Sequence, residues 1–488
     1  MARRLSRRRT LQLLGGAGVA AGIGAALPRP LYAAPERRLD AVVVGAGLSG
    51  LYAALLLEEQ GLEVQVVEGR QRVGGRVYTL MTVPGGVEAG GEVIGASYAR
   101  MIDTARKLKL ELHTPQWLAP PAGWMYHIAG QRVLKDEWAA SAVNPLSGED
   151  RKILPERLLS TLMYRDAPIR DHSLDAWLTP EFARWDIPAT DYLRAKGYNP
   201  ETIRLAGVVV HTDRLSNTSA LHEMRRYHVG DSSRGNLTAG GQRSESLQVK
   251  GGNSRMPEAM GRSLKRGVLL GKAVFAVESR NDGVDVRCTD DSSYGTRFAV
   301  VSMPMPRLRD VMFDPGLPEP LASAVREIEY GLSLQVHMRL RESYWEKDGL
   351  PASMWTDTGI ERFTPLDRGP DGGVSSVIAF INGVEARRFA FMTDAQCFEY
   401  VAAVAAKIRP STKGQLELIT IQSCARDPFG AGDWVYWQPG QVVKYGNHMR
   451  DGLDRVLFCG EHTAIMQRGM EGAFESGERA ALEVLSRV

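Results

Sequence analysis

The chain has 488 residues, of which 44% are hydrophobic and 24% are charged, a balance that is ordinary for a soluble globular protein. A chain of this length is too long for one compact core, so we expect at least two domains. Residues 1–34 hold six arginines and no acidic residue, which exceeds the net charge of +3 for the whole chain. The remaining chain is therefore acidic overall, and its charge gives no reason to predict nucleic-acid binding.

The first 34 residues predict an export signal. The arginines of SRRRTLQLL precede a small-residue apolar stretch that ends at Ala34, which is the order of a twin-arginine leader. We predict that this leader is cleaved and that the protein is exported, either periplasmic or secreted. The alternative is an uncleaved anchor, although the best apolar part, Leu11–Leu27, barely reaches spanning length. No later segment is long and apolar enough to span a membrane.

A dinucleotide-binding motif follows the leader. The apolar run Ala41–Val44 predicts a buried strand that leads through G-x-G-x-x-G into a helix over Leu51–Gln60. The first two glycines allow a tight turn and close approach of the backbone to a pyrophosphate, and the third lets the helix pack close to the strand. A second strand, Glu63–Val67, ends at Glu68, whose carboxylate can accept hydrogen bonds from both ribose hydroxyls of an adenosine. The motif glycines are Gly45, Gly47 and Gly50.

The middle of the chain predicts alternating helical and strand-rich regions. Proline breaks divide a mostly helical stretch. A Gly-Gly turn within Lys250–Met260 then leads into a further helix, which precedes the strands. The predicted helical parts are residues 98–112, most of 145–235, Lys250–Met260 and Gln396–Ile408, and the predicted strand regions are residues 268–302, 331–345 and 374–381.

The four cysteines lack the spacing of a metal site or a disulfide framework. We expect them to be buried as small apolar residues, and we expect no bound metal. One disulfide stays an alternative outside the cytoplasm. They are Cys288, Cys397, Cys424 and Cys459.

The end of the chain carries a second group of motifs. Val456–Thr463 contains FCGEHT after a short apolar run, and a long predicted helix, Gly469–Val488, begins with GMEGAFESGERAA. Together with Gly74-Gly75-Arg76, these motifs resemble those of the flavin amine oxidases, which belong to the glutathione-reductase-like FAD superfamily. The resemblance covers residues 38–488 and is least specific in the middle helical part.

The resemblance implies an α/β fold with three parts: a glutathione-reductase-like (Rossmann-type) FAD-binding domain, a mixed-sheet substrate-binding domain and a helical subdomain. The FAD-binding domain is expected to be discontinuous in sequence. The expected segments are the export signal at 1–34, FAD-binding parts at 38–95, 241–305 and 446–488, a helical or substrate region at 96–240, and a substrate-binding domain at 306–445.

The resemblance also implies that FAD is the cofactor. The twin-arginine-like leader predicts that FAD is loaded in the cytoplasm before export, because that route carries folded proteins. We expect FAD to be non-covalent, because Gly432 and Asp433, and not a cysteine, directly precede the WVYW stretch at Trp434. The N-terminus of the last helix is expected to direct its dipole at the flavin. The residues expected to contact FAD are Gly45, Gly47, Gly50, Glu68, Gly75, Arg76, Gly91, Glu92, Val274, Gly460, Glu461 and Met470.

The family's reaction removes hydride from a carbon that bears an amine, and the imine then hydrolyses to a carbonyl compound and ammonia. Oxygen takes up the electrons as hydrogen peroxide. The resemblance implies that Trp434 is one of two aromatic rings at the flavin, whereas Gly469 leaves the second side open. Gln335 occupies the position at which many members have a lysine, which leaves the electron acceptor open. We therefore take Gln335, Trp434 and Gly469 as the candidate catalytic residues.

The substrate is the least determined part of the prediction. Amino acid oxidases grip the substrate carboxylate with an arginine and a tyrosine, but Val93 and Phe380 stand at those positions. Arg468 is the nearest replacement, and Arg225 and Arg226 are weaker candidates. The candidate substrate-binding residues are Val93, Phe380, Trp434 and Arg468.

Three hypotheses about function follow. The first is an L-amino acid oxidase for large apolar or aromatic substrates. The second is an amine oxidase or amine dehydrogenase acting on primary or secondary amines, and the third is a non-catalytic FAD-binding protein. The expected partners are a small-molecule substrate and oxygen, and a homodimer stays open.

Overall fold

The computed structural model describes residues 39–115, 123–208, 210–235, 246–367 and 374–488. The predicted leader lies outside these residues, so export and cleavage stay predictions. Leu39–Val488 forms one compact unit, and the predicted domain boundaries within it stay predictions as well.

The strands fall into two large sheets and two small ones. The described strands are β1 (Leu39–Val44), β2 (Val64–Glu68), β3 (Thr79–Leu80), β4 (Val87–Glu88), β5 (Ile94–Gly95), β6 (Leu112–His113), β7 (Trp124–Ile128), β8 (Gln131–Val133), β9 (Ser246–Val249), β10 (Val268–Leu270), β11 (Val274–Arg280), β12 (Gly283–Cys288), β13 (Ser293–Val301), β14 (Met312–Asp314), β15 (Ser333–Leu340), β16 (Ser353–Thr356), β17 (Arg362–Asp367), β18 (Val374–Asn382), β19 (Leu416–Ser423) and β20 (Val456–Phe458).

The helices vary from single turns to nearly five turns. The described α-helices are α1 (Leu48–Glu59), α2 (Ala99–Lys107), α3 (Leu158–Tyr164), α4 (Ala189–Ala195), α5 (Pro200–Ala206), α6 (Ala220–Gly235), α7 (Arg255–Ser263), α8 (Met305–Leu308), α9 (Leu321–Glu327), α10 (Tyr344–Asp348), α11 (Gly383–Phe389), α12 (Asp394–Ile408), α13 (Gln441–Tyr445) and α14 (Gly469–Leu485). None of the helices in the described ranges is long and apolar enough to cross a membrane.

The first large sheet combines strands from three distant parts of the chain. β10, β2, β1 and β13 run parallel in that order, and β20 pairs in parallel with the second half of β13. β12 and β11 continue from the first half of β13 as an antiparallel meander, and β14 joins β11. The parallel strands bring the carboxyl ends of β1, β2 and β20 to one edge, where ligands bind in open sheets of this type. The predicted Rossmann-type fold is confirmed.

Strand β1 is buried on both faces. Ala41 and Val43 pack in one hydrophobic cluster with α1 and α14, whereas Val42 and Val44 belong to a second cluster on the opposite face. This double burial is why the strand reads as a continuous apolar run rather than an alternating one.

Helix α1 begins directly after Gly47, three residues earlier than predicted. Gly50 therefore lies in its first turn, where a Cβ would overlap the carbonyl oxygen of Gly45 and press on Ser302. Only glycine allows the helix to approach β1 this closely, as expected of the third glycine in the motif.

The second large sheet is mixed, with strand order β19-β15-β18-β17-β16-β7-β8. β16 and β7 are parallel, and the other neighbours are antiparallel. On β15, Leu334, Val336 and Met338 pack against α12, which leaves Gln335 and His337 on the opposite face. One face of this sheet is thus core, and the other is free to line a site.

The predicted elements between these sheets are partly confirmed. The region from 155 to 235 is mostly helical, and Pro200 opens α5 as the fixed φ of proline favours. The strands within 268–302 and at 374–381 are also confirmed. Two predictions were too long: residues after Lys107 leave the helix and Leu112–His113 forms a strand, and the strand from residue 333 ends at Leu340, before α10 begins at Tyr344.

Candidate functional site

A cavity of about 800 Å³ lies between the two large sheets. Its first part, which we call the glycine end, is lined by Gly45, Gly47, Glu68, Gly75 and Arg76. Its second part, which we call the arginine end, is lined by His211, Arg226, Arg362, Trp434 and Arg468.

Glu68 is fixed at the carboxyl end of β2. Its Oε2 accepts the backbone N–H of Ala46 at 2.8 Å, and its Oε1 accepts the backbone N–H of Arg70 at 2.8 Å. The residue is only 6% exposed and lines the cavity. Its carboxylate is therefore held in place for a ligand hydroxyl before any ligand arrives.

Arg76 joins the beginning of the chain to its end. Its Nη1 donates to Glu461 Oε1 at 3.0 Å and to the carbonyl oxygen of Asp433 at 2.7 Å. The same Glu461 oxygen accepts the backbone N–H of Val435 at 2.9 Å. Residues 385 positions apart in sequence thus form one wall of the glycine end.

Two helix N-termini open on the cavity. Gly47, Leu48 and Ser49 of the first turn of α1 line it, and so do Gly469 and Met470 at the start of α14. Free N–H groups and the positive end of the helix dipole make such termini favourable for anions.

Gly47 and Gly75 form a narrow cradle in front of α1. A Cβ on Gly75 would lie 3.4 Å from the Cα of Gly47, whereas a Cβ on Gly47 would meet no atom within 4 Å. The bare backbone at Gly47 therefore faces open space, which suits close approach of a pyrophosphate.

Eleven of the twelve residues predicted to contact the cofactor line the cavity; only Gly50 does not, because it lies between α1 and β1. The lining residues are Gly45, Gly47, Glu68, Gly75, Arg76, Gly91, Glu92, Val274, Gly460, Glu461 and Met470.

The arginine end is built on the free face of the second sheet. Gln335 on β15 lies opposite Phe380 on β18, which lies opposite Arg362 on β17, so the three residues form a row across three strands. All three line the cavity. His337 is next to this row on β15, and its Nε2 donates to Gln335 Oε1 at 2.9 Å. Gln335 is thus held by a buried partner.

Aromatic rings connect this row to the opposite wall. The ring centroid of His211 lies 5.2 Å from that of Trp434 and 6.3 Å from that of Phe380. Gly469, at φ +54°, also lines the cavity, and no atom lies within 4 Å of the position its Cβ would take. The position of the Gly469 Cβ is therefore open space, and the predicted Val93 lines the cavity too.

Three guanidinium groups converge on the arginine end. Arg226 on α6 is paired with Glu223, with Nη1 and Oε2 3.2 Å apart. Arg362 stacks on the ring of Phe380, with 4.7 Å between its Cζ and the ring centroid. Within the described ranges, neither Arg362 nor Arg468 has a carboxylate within 4.0 Å. We call Arg362 and Arg468 the open guanidiniums.

These charges act on one another and on His211. Burial, followed by the charges of Arg226, Arg362 and Arg468, holds the pKa of His211 well below its usual value, so the imidazole is neutral. Burial and the charge of Arg226 also lower the pKa of Arg468. The arginine end therefore carries an excess of positive charge that an anion would relieve.

Arg225 does not reach the cavity. Its Nη2 donates to the carbonyl oxygens of Ala464, Ile465 and Gln467 at 2.8, 3.3 and 3.0 Å. Arg225 therefore holds the loop that precedes Arg468, and the weaker carboxylate role considered for it from sequence has no support in the structure. Arg226, the other weak candidate, does line the cavity.

Sequence reasoning missed Arg362 and His211. The alternation of Arg362, Thr364 and Leu366, which all line the cavity, was readable as a strand signal. Its position beside Phe380 depends on the pairing of β17 with β18, which no local pattern shows. We find no sequence signal that would have singled out His211.

Residues 48–485 match the family model described as flavin containing amine oxidoreductase. The chain belongs to this family. The oxidoreductase is 27% identical to amine oxidase [flavin-containing] B of Homo sapiens over 468 residues, which covers 92% of this chain and 86% of the relative. Among solved structures, it is similar in fold to a putrescine oxidase bound to putrescine, with a TM-score of 0.75, 20% identity, and coverage of 93% and 100% of the two chains. A cyclohexylamine oxidase from Brevibacterium oxydans gives a TM-score of 0.74 at 23% identity, covering 92% and 99%.

The cofactor of the oxidoreductase is FAD, as predicted. The glycine end fits this group. Glu68 can hold the ribose, the cradle of Gly47 and Gly75 and the N-terminus of α1 can hold the pyrophosphate, and the N-terminus of α14 can hold the flavin.

Proposed function

We propose that the protein is an FAD-dependent L-amino acid oxidase. It converts an L-amino acid, oxygen and water to a 2-oxo acid, ammonia and hydrogen peroxide. The observation that carries the proposal is the pair of open guanidiniums, Arg362 and Arg468, in the cavity beside the flavin site.

The charge of the arginine end favours an amino acid over a simple amine. A plain amine is a cation in water, and the guanidiniums would repel it as it enters. An amino acid brings a carboxylate that Arg468 can bind with charge-assisted hydrogen bonds. The same positive charges lower the pKa of the substrate ammonium, and they therefore favour the neutral amine that the reaction needs.

When bound, FAD accepts hydride from the carbon that bears the amine and passes the electrons on to oxygen. The chain supplies orientation around that step. Arg468 fixes the carboxylate, and Trp434 packs beside the neutral ring of His211. The open space at Gly469 leaves room for the substrate amine. Gln335 is held by His337 and stands where related enzymes have a lysine; like that lysine, it can bind a water molecule.

A second candidate is an amine oxidase, because the similar proteins include one named amine oxidase B, one putrescine oxidase and one cyclohexylamine oxidase.

We also propose that FAD is non-covalent, since no cysteine is among the described residues that line the cavity. All four cysteines are free, as expected from sequence, and three of them are buried. Export through the leader at residues 1–34 belongs to the same proposal.

The deciding experiment screens the twenty L-amino acids, their D-forms and a set of primary amines. Peroxide release and anaerobic bleaching of the flavin are measured in parallel, so that an oxidase and a dehydrogenase are told apart. Turnover of L-amino acids with peroxide release supports the proposal, and turnover of amines alone refutes it.

Arg468→Gln tests the carboxylate contact. A hydrogen bond to a charged group contributes about 1.5–3 kcal/mol to binding. Without it, the KM for the amino acid should rise about 10- to 100-fold. Arg132→Gln on the exposed strand β8 is the matched control and should leave KM unchanged. An unchanged KM in Arg468→Gln would remove the assignment.

A further inference from the structure

The arginine end holds more positive charge than one carboxylate needs. Arg226 already has Glu223 as its partner. Arg362 and Arg468 lie on different elements, strand β17 and the residue before α14, yet both charges act on the His211 ring. Two separate cations thus face the space beside one ring.

Arg362 is held in place by a paired strand and by an aromatic ring. It lies in register with Phe380 on a paired strand, and its guanidinium stacks on that ring. Its Nε is buried and has no hydrogen-bond partner among the described residues. A buried N–H group without a partner is costly, and an anionic ligand in the cavity that Arg362 lines can compensate it.

The number of open guanidiniums points to the substrate class. The cations at this end are Arg226, Arg362 and Arg468. The carboxylates that act on them are Glu223, Glu92 and Glu461, of which Glu461 is already paired with Arg76. Glu361, next to Arg362, is largely protonated at neutral pH because burial raises its pKa to about 8. The amine of the reacting substrate is neutral, so an amino acid with a single carboxylate can compensate only one of the two open guanidiniums. An acidic amino acid brings a second carboxylate for the other guanidinium.

We propose that the substrate is an acidic L-amino acid with two carboxylates. Arg468 binds the carboxylate on the reacting carbon, and Arg362 binds the carboxylate of the side chain. His211, neutral and packed between Trp434 and Phe380, lines the space between them. This inference rests on the proposed function, and it replaces the large apolar or aromatic side chain expected from sequence.

The kinetic test compares matched pairs of substrates on the holoenzyme. L-Glutamate and L-aspartate should have kcat/KM values at least about 10-fold above those of L-glutamine and L-asparagine, which differ only in charge. Arg362→Gln should lower kcat/KM for the two acidic substrates about 10- to 100-fold and leave the two amides nearly unchanged. Arg468→Gln should weaken all four substrates, and Arg132→Gln should weaken none.

A binding test gives a readout that needs no turnover. Glutarate and succinate are titrated against the oxidised holoenzyme, with butyrate as the matched monocarboxylate, and the flavin absorbance change gives Kd. The dicarboxylates should bind at least about 10-fold more tightly than butyrate, and Arg362→Gln should abolish the difference.

The outcomes separate the two proposals. Turnover of neutral L-amino acids without preference for acidic ones, or equal binding of glutarate and butyrate, overturns the inference but leaves the L-amino acid oxidase intact. Turnover of amines alone overturns the proposed function itself. If Arg362→Gln does not fold, the substrate comparison and the titrations on the unmodified protein still decide the question.

Discussion

The two ends of the cavity use cations in opposite ways. At the glycine end, Arg76 is paired with Glu461, Arg70 with Asp427, and Lys272 with Asp290. At the arginine end, the open guanidiniums have no such carboxylate among the described residues. The glycine end thus uses its charges to join chain segments and leaves backbone N–H groups for the phosphates. The arginine end keeps charge available for a ligand.

This difference predicts opposite effects of the same kind of substitution. Removing one member of a buried ion pair leaves the other charge uncompensated and is strongly destabilising. Removing a buried cation that has no ion-pair partner and lies near another cation relieves repulsion instead. Stability measurements on the protein without substrate can therefore tell the two ends apart.

The largest effect is expected for Arg76→Met. It leaves the Glu461 carboxylate, which is 8% exposed, without its cation, and we expect a loss of about 3 kcal/mol in the free energy of unfolding. Urea unfolding measures this loss, and a FAD titration should show weaker binding. Arg132→Met on the surface is the control; if both variants unfold at the same urea concentration, the ion pair does not stabilise the glycine end.

The next effect concerns pH and His462, which also lines the glycine end. Burial, followed by the charges of Arg76 and Arg479, lowers the pKa of His462 to about 3. In the unfolded chain its pKa is about 6.5, so below pH 6.5 only the unfolded state is protonated. The contribution of His462 is fully present above pH 6.5 and falls by about 1.4 kcal/mol per pH unit as the pH drops toward 3.

The His462→Gln variant tests this dependence, because it removes the titrating group and can keep a hydrogen bond to Tyr330. Urea unfolding between pH 4.5 and 7 should show a slope smaller by about one proton. His113→Gln, at an exposed position, should keep the slope of the unmodified protein. Equal slopes in the two variants would assign the dependence to other groups.

A smaller effect is expected at Gly469, whose φ of +54° is in the left-handed region. Gly469→Ala should destabilise the protein by about 1 kcal/mol, because in the left-handed region a Cβ comes too close to the following carbonyl oxygen. Gly440→Ala is a matched control, since Gly440 has a φ of +80° and open space around its Cβ position but does not line the cavity. Both variants should lose similar stability, and only Gly469→Ala should lower kcat/KM, by about 3- to 10-fold. Equal kinetics would show that the open side at Gly469 is not used.

The smallest effect is expected for Arg468→Gln measured without substrate. Burial and the charge of Arg226 both destabilise the charged form of Arg468. Removing the Arg468 guanidinium should therefore raise the free energy of unfolding by up to about 1 kcal/mol. Thermal unfolding with and without glutarate should also show that the ligand stabilises the unmodified protein more than the variant. Destabilisation similar to that of Arg76→Met would refute the contrast between the two ends.

The glycine end could be predicted because its parts are local in sequence. Gly45, Gly47 and Glu68 lie within one strand–helix–strand unit, in which spacing alone determines their positions. The residues contributed by the end of the chain, Gly460 and Glu461, were recognised through a family resemblance. The start of α1 was predicted three residues too late. The turn ends at Gly47, and the helix begins at the next residue.

The arginine end could not be predicted in the same way. Arg362 reaches the cavity through the register of β17 with β18, and a shift of one residue would turn it to the other face. Strands β7 and β8 were missed because they are short and lie between the predicted helical parts at 98–112 and 145–235. These pairings connect residues far apart in sequence, and local periodicity contains no information about them.

The ion pair between Arg76 and Glu461 also has a consequence for biosynthesis. A nascent chain that has reached residue 455 already contains α1, β2 and Glu68, but it lacks β20, Glu461 and the whole of α14. The wall that closes the glycine end therefore does not exist until the residues of β20 and α14 have been translated. A chain that stops at residue 455 would lack that wall together with Arg468, so tight retention of flavin would mark molecules in which β20 and α14 had been made and folded.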